Sequence, residues 1–269
     1  MDSAKKLQSI FFAGTPKLSV ILGSGIDAPE LSSKKEIYFS ELGLGVTKVE
    51  GHKGKFSYGL LNDQPVLYQH GRLHLYEGFS GVEVASPIRA QMNAGVRSIV
   101  ITNSAGSIDP NVGVGSLVLV TSLDFTLTPE THPSTGCYGE SFGSQFYPVS
   151  CTSSLSDRVK ADKKGGYVFR YGPNYEDPVD IQSLRLKRRE LIKEGLEEIA
   201  PLVVGMSTVP EVLAANQFST LEPVEVTVLS YVTNLCAGLS SVQPSHKEVL
   251  ENASAGRARI NRVLTDLLK

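Results

Sequence analysis

What most restricts the fold of this chain is a series of short, continuous Val/Ile/Leu runs, each bounded by glycine or small polar residues. They lie at 18–22 (LSVIL), 66–69, 97–102 (RSIVIT), 116–121 (SLVLVT), 167–171, 202–205 and 225–233 (EVTVLSYVT). Runs of this kind suit strands covered on both faces. Helical patterns fall between them. Residues 80–94 end at Gly95, a left-handed C-terminal cap, and residues 182–199 set Leu184, Leu191, Ile192 and Ile199 against a charged face. Thr208 and Glu211 have capping-box spacing at the head of a helix reaching about residue 216. A last helix over 245–268 carries Val249, Leu250, Ala253, Ile260, Val263, Leu264, Leu267 and Leu268 at helical spacing. Strands alternating with helices predict an α/β fold, a single domain over 1–269 with a central, largely parallel sheet.

Composition narrows the function classes. Lys+Arg 26 against Asp+Glu 28 gives a formal charge of -2, so no basic stripe for nucleic acid is expected. No apolar stretch approaches the roughly 18 residues of a membrane span. The opening residues carry two lysines and an apolar patch broken by Pro16 and Lys17, a poor signal peptide. Three widely spaced cysteines (Cys137, Cys151, Cys236) without a CxxC argue against a disulfide framework and a zinc site. The expected setting is a reducing cytosol, with no metal.

Sheets of this kind bind small molecules at the carboxyl ends of their strands. Here those ends are polar and glycine-containing: GSG (23–25), HGRLHLYEG (70–78), NSAG (103–106), YGPNYE (171–176), GMS (205–207) and TN (233–234). Gly23-Ser24-Gly25 with Ala28 fits a dinucleotide fingerprint, but no amphipathic helix follows. It reads better as a nest whose N–H groups and Ser24 hydroxyl hold one phosphate, or as a plain tight turn. In 71–78, alternation along an extended chain puts Arg72, His74 and Tyr76 on one face. Arginine and histidine are suited to phosphate oxygens, and Glu77 could hold a histidine oriented. A solvated ion-pair turn is the plain alternative. His52 between glycines is by itself a loop histidine. Tyr175 and Glu176 could stack on and hydrogen-bond a planar heterocycle. Met206 and Ser207 could be core filler and a helix cap, and Asn234, partly buried, needs partners.

Taken in order, GSG, GH, GRLHLYEG, TNSAG, GPNYE, VVGMSTVPEV and TN resemble the trimeric, low-molecular-mass purine nucleoside phosphorylases, over about residues 18 to 265. The resemblance implies the nucleoside phosphorylase fold, with a mixed, largely parallel twisted sheet flanked by helices. It implies a cytoplasmic homotrimer that splits 6-oxopurine nucleosides with inorganic phosphate as co-substrate and no cofactor. Ser24, His52, Arg72, His74, Ser207 and the backbone at Ser104 would bind phosphate. Tyr76, Met206 and His246 would line the ribose, joined by Phe142 lent across a subunit interface. Ala105, Gly106, Tyr175, Glu176, Thr233 and Asn234 would surround the base, and Glu77 would orient His74. His74, Glu77, Glu176 and Asn234 would carry the catalysis. Methylthioadenosine phosphorylases are the nearest alternative, although they generally carry aspartate where this chain has Asn234. A nucleoside-binding protein without activity is another. Three departures stand out: Ser104 replaces a usual alanine, the segment between Glu176 and Met206 is longer than is typical, and the stretch after Phe142 lacks the acidic and basic residues common there.

Overall fold

The computed structural model describes residues 3–240 and 244–268. Nine strands form one mixed sheet: β1 (Leu18–Leu22), β2 (Ser32–Tyr38), β3 (Lys55–Leu61), β4 (Gln64–His70), β5 (Ser98–Ser107), β6 (Leu117–Asp124), β7 (Lys163–Phe169), β8 (Pro201–Gly205) and β9 (Glu225–Leu235). Their order is β2-β3-β4-β1-β5-β8-β7-β6-β9, and β9 also pairs with β5. That last pairing closes β5, β8, β7, β6 and β9 into a ring. The ring adjoins the open half because β5 is shared. Its first half lies between β1 and β9, and its end pairs with β8. The core strands β1, β4, β5 and β9 run parallel to their neighbours where they meet, while β2–β3, β3–β4, β5–β8 and β6–β9 are antiparallel.

The apolar runs become covered strands, as their composition requires. All five residues of β1 and of β8 are buried, and each side chain the size of Ile21 or Leu202 contributes about 2 kcal/mol of burial free energy. On one face pack α1 (Ser3–Gln8), α2 (Gly81–Val84), α3 (Ser86–Asn93) and α5 (Val209–Phe218). On the other lie α6 (His246–Ala255) and α7 (Arg257–Asp266), through Ala253, Ile260 and Leu264. A third, α4 (Pro178–Lys193), covers β8 with Ile181 and Leu184.

Several sequence expectations need correction. Strands β2 and β3 are absent from the sequence reading. The polar stretch Ser32 to Glu36 is an edge strand, exposed for most of its length, where lysines protect an open edge at the expense of any apolar signal. The stretches NSAG and TN are not turns but the ends of β5 and β9. The helix over 80–94 is two, α2 and α3, meeting at Ala85, although Gly95 does adopt the left-handed conformation at φ +97°. The helix over 182–199 starts earlier, where the Asp177 carboxylate accepts from the Val179 N–H, and ends at Lys193. Of its apolar residues, Ile192 and Ile199 remain exposed. The last helix breaks at Gly256, where any Cβ would fall 2.1 Å from the Tyr231 ring.

His70, at the end of β4, gives the fold a pH dependence. Burial pushes its imidazole down to about 4, helped by Lys55, Lys53 and Lys34 against the opposing Glu36. A histidine that is neutral when folded and titrates normally when unfolded takes up its proton preferentially on unfolding. Stability from this group is therefore complete above about pH 6.5 and falls as pH drops toward 4, by roughly 1.4 kcal/mol per pH unit. Thermal melts from pH 7.5 to 4.5 should show this slope, and His70→Gln should flatten it. An equally steep slope in the variant would assign the effect elsewhere.

Candidate active site

The strand ends converge as expected. One cavity is lined by Ser24, His52, Arg72, His74, Tyr76, Ser104, Ala105, Gly106, Tyr175, Glu176, Met206, Ser207, Thr233, Asn234 and His246, with Val204, Gly205 and Val249 completing the wall. Arg72 and Asn234, distant in sequence, thus face one space. Two residues read from the sequence lie outside it. Glu77 sits behind His74, and Phe142 is elsewhere, its ring 5.0 Å from the Arg89 guanidinium.

One wall gathers hydroxyl, imidazole and guanidinium groups. The turn after β1 brings Ser24 against His52, Oγ to Nε2 at 2.9 Å. His52 Nδ1 accepts the Arg72 N–H at 3.1 Å, so its proton is on Nε2 and is donated to Ser24. The Ser24 hydroxyl hydrogen is then left for a ligand. This approach requires glycine at position 71: φ is +86°, and a Cβ would lie 2.4 Å from His52 Nδ1. Burial lowers the His52 pKa to about 2, with His74, Arg72 and His246 adding to the effect, so His52 is neutral in the empty cavity. The buried Arg72 donates from Nη1 to Ser207 Oγ at 2.8 Å and from Nη2 to the Thr102 carbonyl at 2.7 Å. Tyr167 fixes Ser207, its hydroxyl donating to the Ser207 carbonyl and accepting the Ser207 N–H.

His74 is held by Glu77, which accepts from both the His74 backbone N–H (3.0 Å) and Nδ1 (3.1 Å). Thr47 and the Lys48 N–H donate to the same carboxylate. Burial works to raise the Glu77 pKa, but His74, Lys48 and Thr47 outweigh it and hold the carboxyl below its usual range. Burial lowers His74 while Glu77 opposes it. The imidazole therefore presents Nε2 to the cavity, and an arriving anion favours its protonation. Tyr76 stacks on the His74 ring, centroids 4.6 Å apart.

The opposite wall carries amide and carboxylate groups. In β9 the register with β5 slips between Val232 and Asn234, leaving Thr233 as the extra residue of a bulge. Bulges re-aim side chains beside sites, and this one points Asn234 into the cavity at the level of Gly106. The Thr233 hydroxyl donates to Asn234 Oδ1 at 3.1 Å, and Asn234 Nδ2 donates to the Leu235 carbonyl at 3.1 Å. One N–H of the amide remains for a ligand. Asn252 of α6 secures the bulge, donating to the Thr233 carbonyl at 2.7 Å. Glu176 has a buried Oε2 without a hydrogen-bond partner, and burial raises its pKa. A buried acceptor left unpaired costs free energy that a donating ligand recovers. His246 opens α6 after its cap Ser245, which accepts the Glu248 N–H.

The Ser104 hydroxyl donates to the Ser24 carbonyl at 2.9 Å, and Thr102 Oγ1 accepts the Gly23 N–H at 3.2 Å. With its hydrogen committed, the Ser104 hydroxyl clamps the Ser24 turn to β5 and is not available to an anion.

The family model described as the phosphorylase superfamily matches residues 17–269. Purine nucleoside phosphorylase 1 of Bacillus subtilis (strain 168) is 32% identical over 250 residues, covering 88% of this chain and 86% of the relative. The chain belongs to the purine nucleoside phosphorylase family. Purine nucleoside phosphorylase 1 of Geobacillus stearothermophilus is 30% identical over 271 residues, covering 96% of this chain and 92% of the relative. Among solved structures, Schistosoma mansoni purine nucleoside phosphorylase in complex with inosine shares 26% identity with a TM-score of 0.75, covering 99% of this chain and 94% of that chain.

The sequence reading missed Val204, Gly205 and Val249 of the cavity wall, and it missed the residues that support the wall from behind. Thr208 and Glu211 do not form the expected reciprocal cap: Thr208 adopts φ +76° and makes no side-chain cap bond. Its hydroxyl instead accepts from Asn103 Nδ2 at 3.0 Å. Glu211 is buried 3.3 Å from Arg72 Nε. Neither role has a local sequence signal, because each depends on a partner more than 100 residues away.

Proposed function

We propose that this chain is a purine nucleoside phosphorylase acting on 6-oxopurine nucleosides such as inosine and guanosine, a pentosyltransferase that uses inorganic phosphate as co-substrate. The observation that carries the reading is the single cavity with an anion wall at Ser24, Arg72, His74 and Ser207 and an amide–carboxylate wall at Glu176 and Asn234. A nucleoside spanning the two walls would place C1′ between phosphate and base.

In phosphorolysis the C1′–N9 bond breaks with its electron pair passing to the base, and a phosphate oxygen forms the new bond to C1′. The sugar gains positive character and the leaving base negative. The free Asn234 N–H supports that charge at N7 and O6, and Glu176 accepts the ring N1–H. One donor placed where charge develops lowers a barrier by about 3 kcal/mol. On the other side Arg72, Ser207, Ser24 and His74 would hold phosphate for attack, its charge steadying the cationic sugar. Tyr76, Met206 and His246 would seat the ribose, with Ala105, Gly106, Tyr175 and Thr233 around the base. An amide at 234 matches a 6-oxo group better than a 6-amino group, because a carboxylate would be the better acceptor for the latter.

The same reading includes a single domain over 1–269 and a cytoplasmic homotrimer in which Phe142 serves a neighbouring site. Exposed Tyr138, Phe146 and Val149 near Phe142 support an interface on that side. Among the described residues no helix is long and apolar enough to cross a membrane.

The test is release of hypoxanthine from inosine with and without phosphate, beside adenosine and 5′-methylthioadenosine. Phosphate-dependent release from inosine is expected. Equal release without phosphate, or preference for the 6-amino substrates, would refute the reading. A second measurement concerns Ser104. Removing a bond worth about 1 kcal/mol in Ser104→Ala should raise the phosphate KM roughly fivefold with little change in kcat. An unchanged phosphate KM would mean the Ser24 turn needs no clamp.

A further inference from the structure

Arg72 is 2% exposed, and its charge must be met inside the protein. Nη1 and Nη2 donate to neutral oxygens, the Ser207 hydroxyl and the Thr102 carbonyl. Nε faces Glu211 Oε1 at 3.3 Å, and Glu211 is likewise 2% exposed. Nη1 and Nη2 each donate one N–H to protein, and Nε lies beside Glu211 without a hydrogen bond, which leaves one N–H on each Nη for a ligand. Glu211 lies in the first turn of α5 and does not line the cavity. Its Oε2 has no hydrogen-bond partner. Burial holds the carboxyl above its usual range, against the opposing pull of Arg72 and the Thr208 N–H. The chemistry derived above makes no use of it.

A carboxylate beside the arginine of an anion site is costly to ligand binding. It repels the anion and shares the same guanidinium charge. Its benefit lies in the empty state, where an unpaired buried guanidinium would be strongly destabilising. We propose that Glu211 is a positioning residue, the resident counter-ion of Arg72, which keeps the guanidinium aimed into the empty cavity and lowers its affinity for phosphate. This rests on the reading that phosphate occupies the Arg72 wall. A consequence is that phosphate and Glu211 stabilise the same buried cation in turn, so loss of one raises the worth of the other.

Glu211→Gln keeps an oxygen for Arg72 Nε and removes the charge. Phosphate binding, followed by thermal shift against inorganic phosphate, is expected to tighten about tenfold, as for a unit charge removed from within several ångströms of the anion. The phosphate KM should fall in parallel and the inosine KM should not move, a split that general loosening of the fold would not produce. Without phosphate the variant should melt below the wild type, with the gap narrowing at saturating phosphate. Phosphate affinity equal to or weaker than wild type overturns the proposal. Melts of Arg72→Gln and of the double variant Arg72→Gln/Glu211→Gln, without phosphate, test the pair independently. Arg72→Gln strands a buried carboxylate, so the double variant should melt above it. A double variant that melts at or below Arg72→Gln, or fails to fold, overturns the counter-ion role. Should the wild type be neither stabilised by phosphate nor dependent on it for base release, the phosphate reading is what fails, while these melts still report on the pair.

Discussion

Replacing Asn234 with alanine is expected to lower kcat for inosine phosphorolysis by about 100- to 1000-fold, the cost of removing one donor aimed at developing charge. The reasoning is geometric. The amide is fixed by Thr233 on one side and Leu235 on the other, with one N–H left facing the cavity. Nothing at the anion wall touches it, so the phosphate KM should stay within about twofold, as for separated sites that do not couple. Steady-state kinetics with each substrate varied in turn checks this. A loss shared equally between kcat and phosphate KM would show that Asn234 supports the site as a whole instead of the leaving group.

Arg72→Ala is expected to act on the other wall and on the fold together. Two ligand-facing N–H groups and the charge of the anion site are lost, which should raise the phosphate KM by at least about 100-fold at charged hydrogen bonds of roughly 1.5–3 kcal/mol each. Glu211 remains behind, buried and unpaired, and breaking a buried pair on one side costs about 3–5 kcal/mol of stability. Denaturant melts and phosphate saturation curves measure the two effects. A variant with wild-type stability and an unchanged saturation curve would place both the anion and the compensating charge elsewhere.

Much of this arrangement could be read from the residues. The covered strands declared themselves because Val, Ile and Leu in unbroken runs have few other uses in a protein of this composition. Most cavity-lining residues lie in the glycine-containing polar clusters just after those runs, whereas His52 and His246 were assigned through the family resemblance. Other features left no local trace. Strand β2 is an exposed edge whose lysines carry no alternation. The ends of β5 and β9 looked like turns because Asn103, Ser104 and Asn234 are polar, yet they complete ladders within the ring. Thr208 and Glu211 matched a helix-cap pattern, but Asn103 takes the Thr208 hydroxyl and Arg72 lies against the Glu211 carboxyl, so tertiary partners share residues that the local pattern assigned to the cap. Phe142 owes its expected place to the family resemblance alone, and within one chain it packs with Arg89.

Closure of β5, β8, β7, β6 and β9 upon themselves has a bearing on how this cavity tolerates change. In an open sheet a strand can slide by two residues and keep its faces, given a free margin to slide along. Here β9 is hydrogen-bonded to β5 on one flank and β6 on the other, so any slippage would have to travel round the whole circuit. The extra residue at Thr233 is thereby locked in place by topology. An insertion in a connection between these strands, such as the one bearing α4, would leave the circuit and the aim of Asn234 untouched.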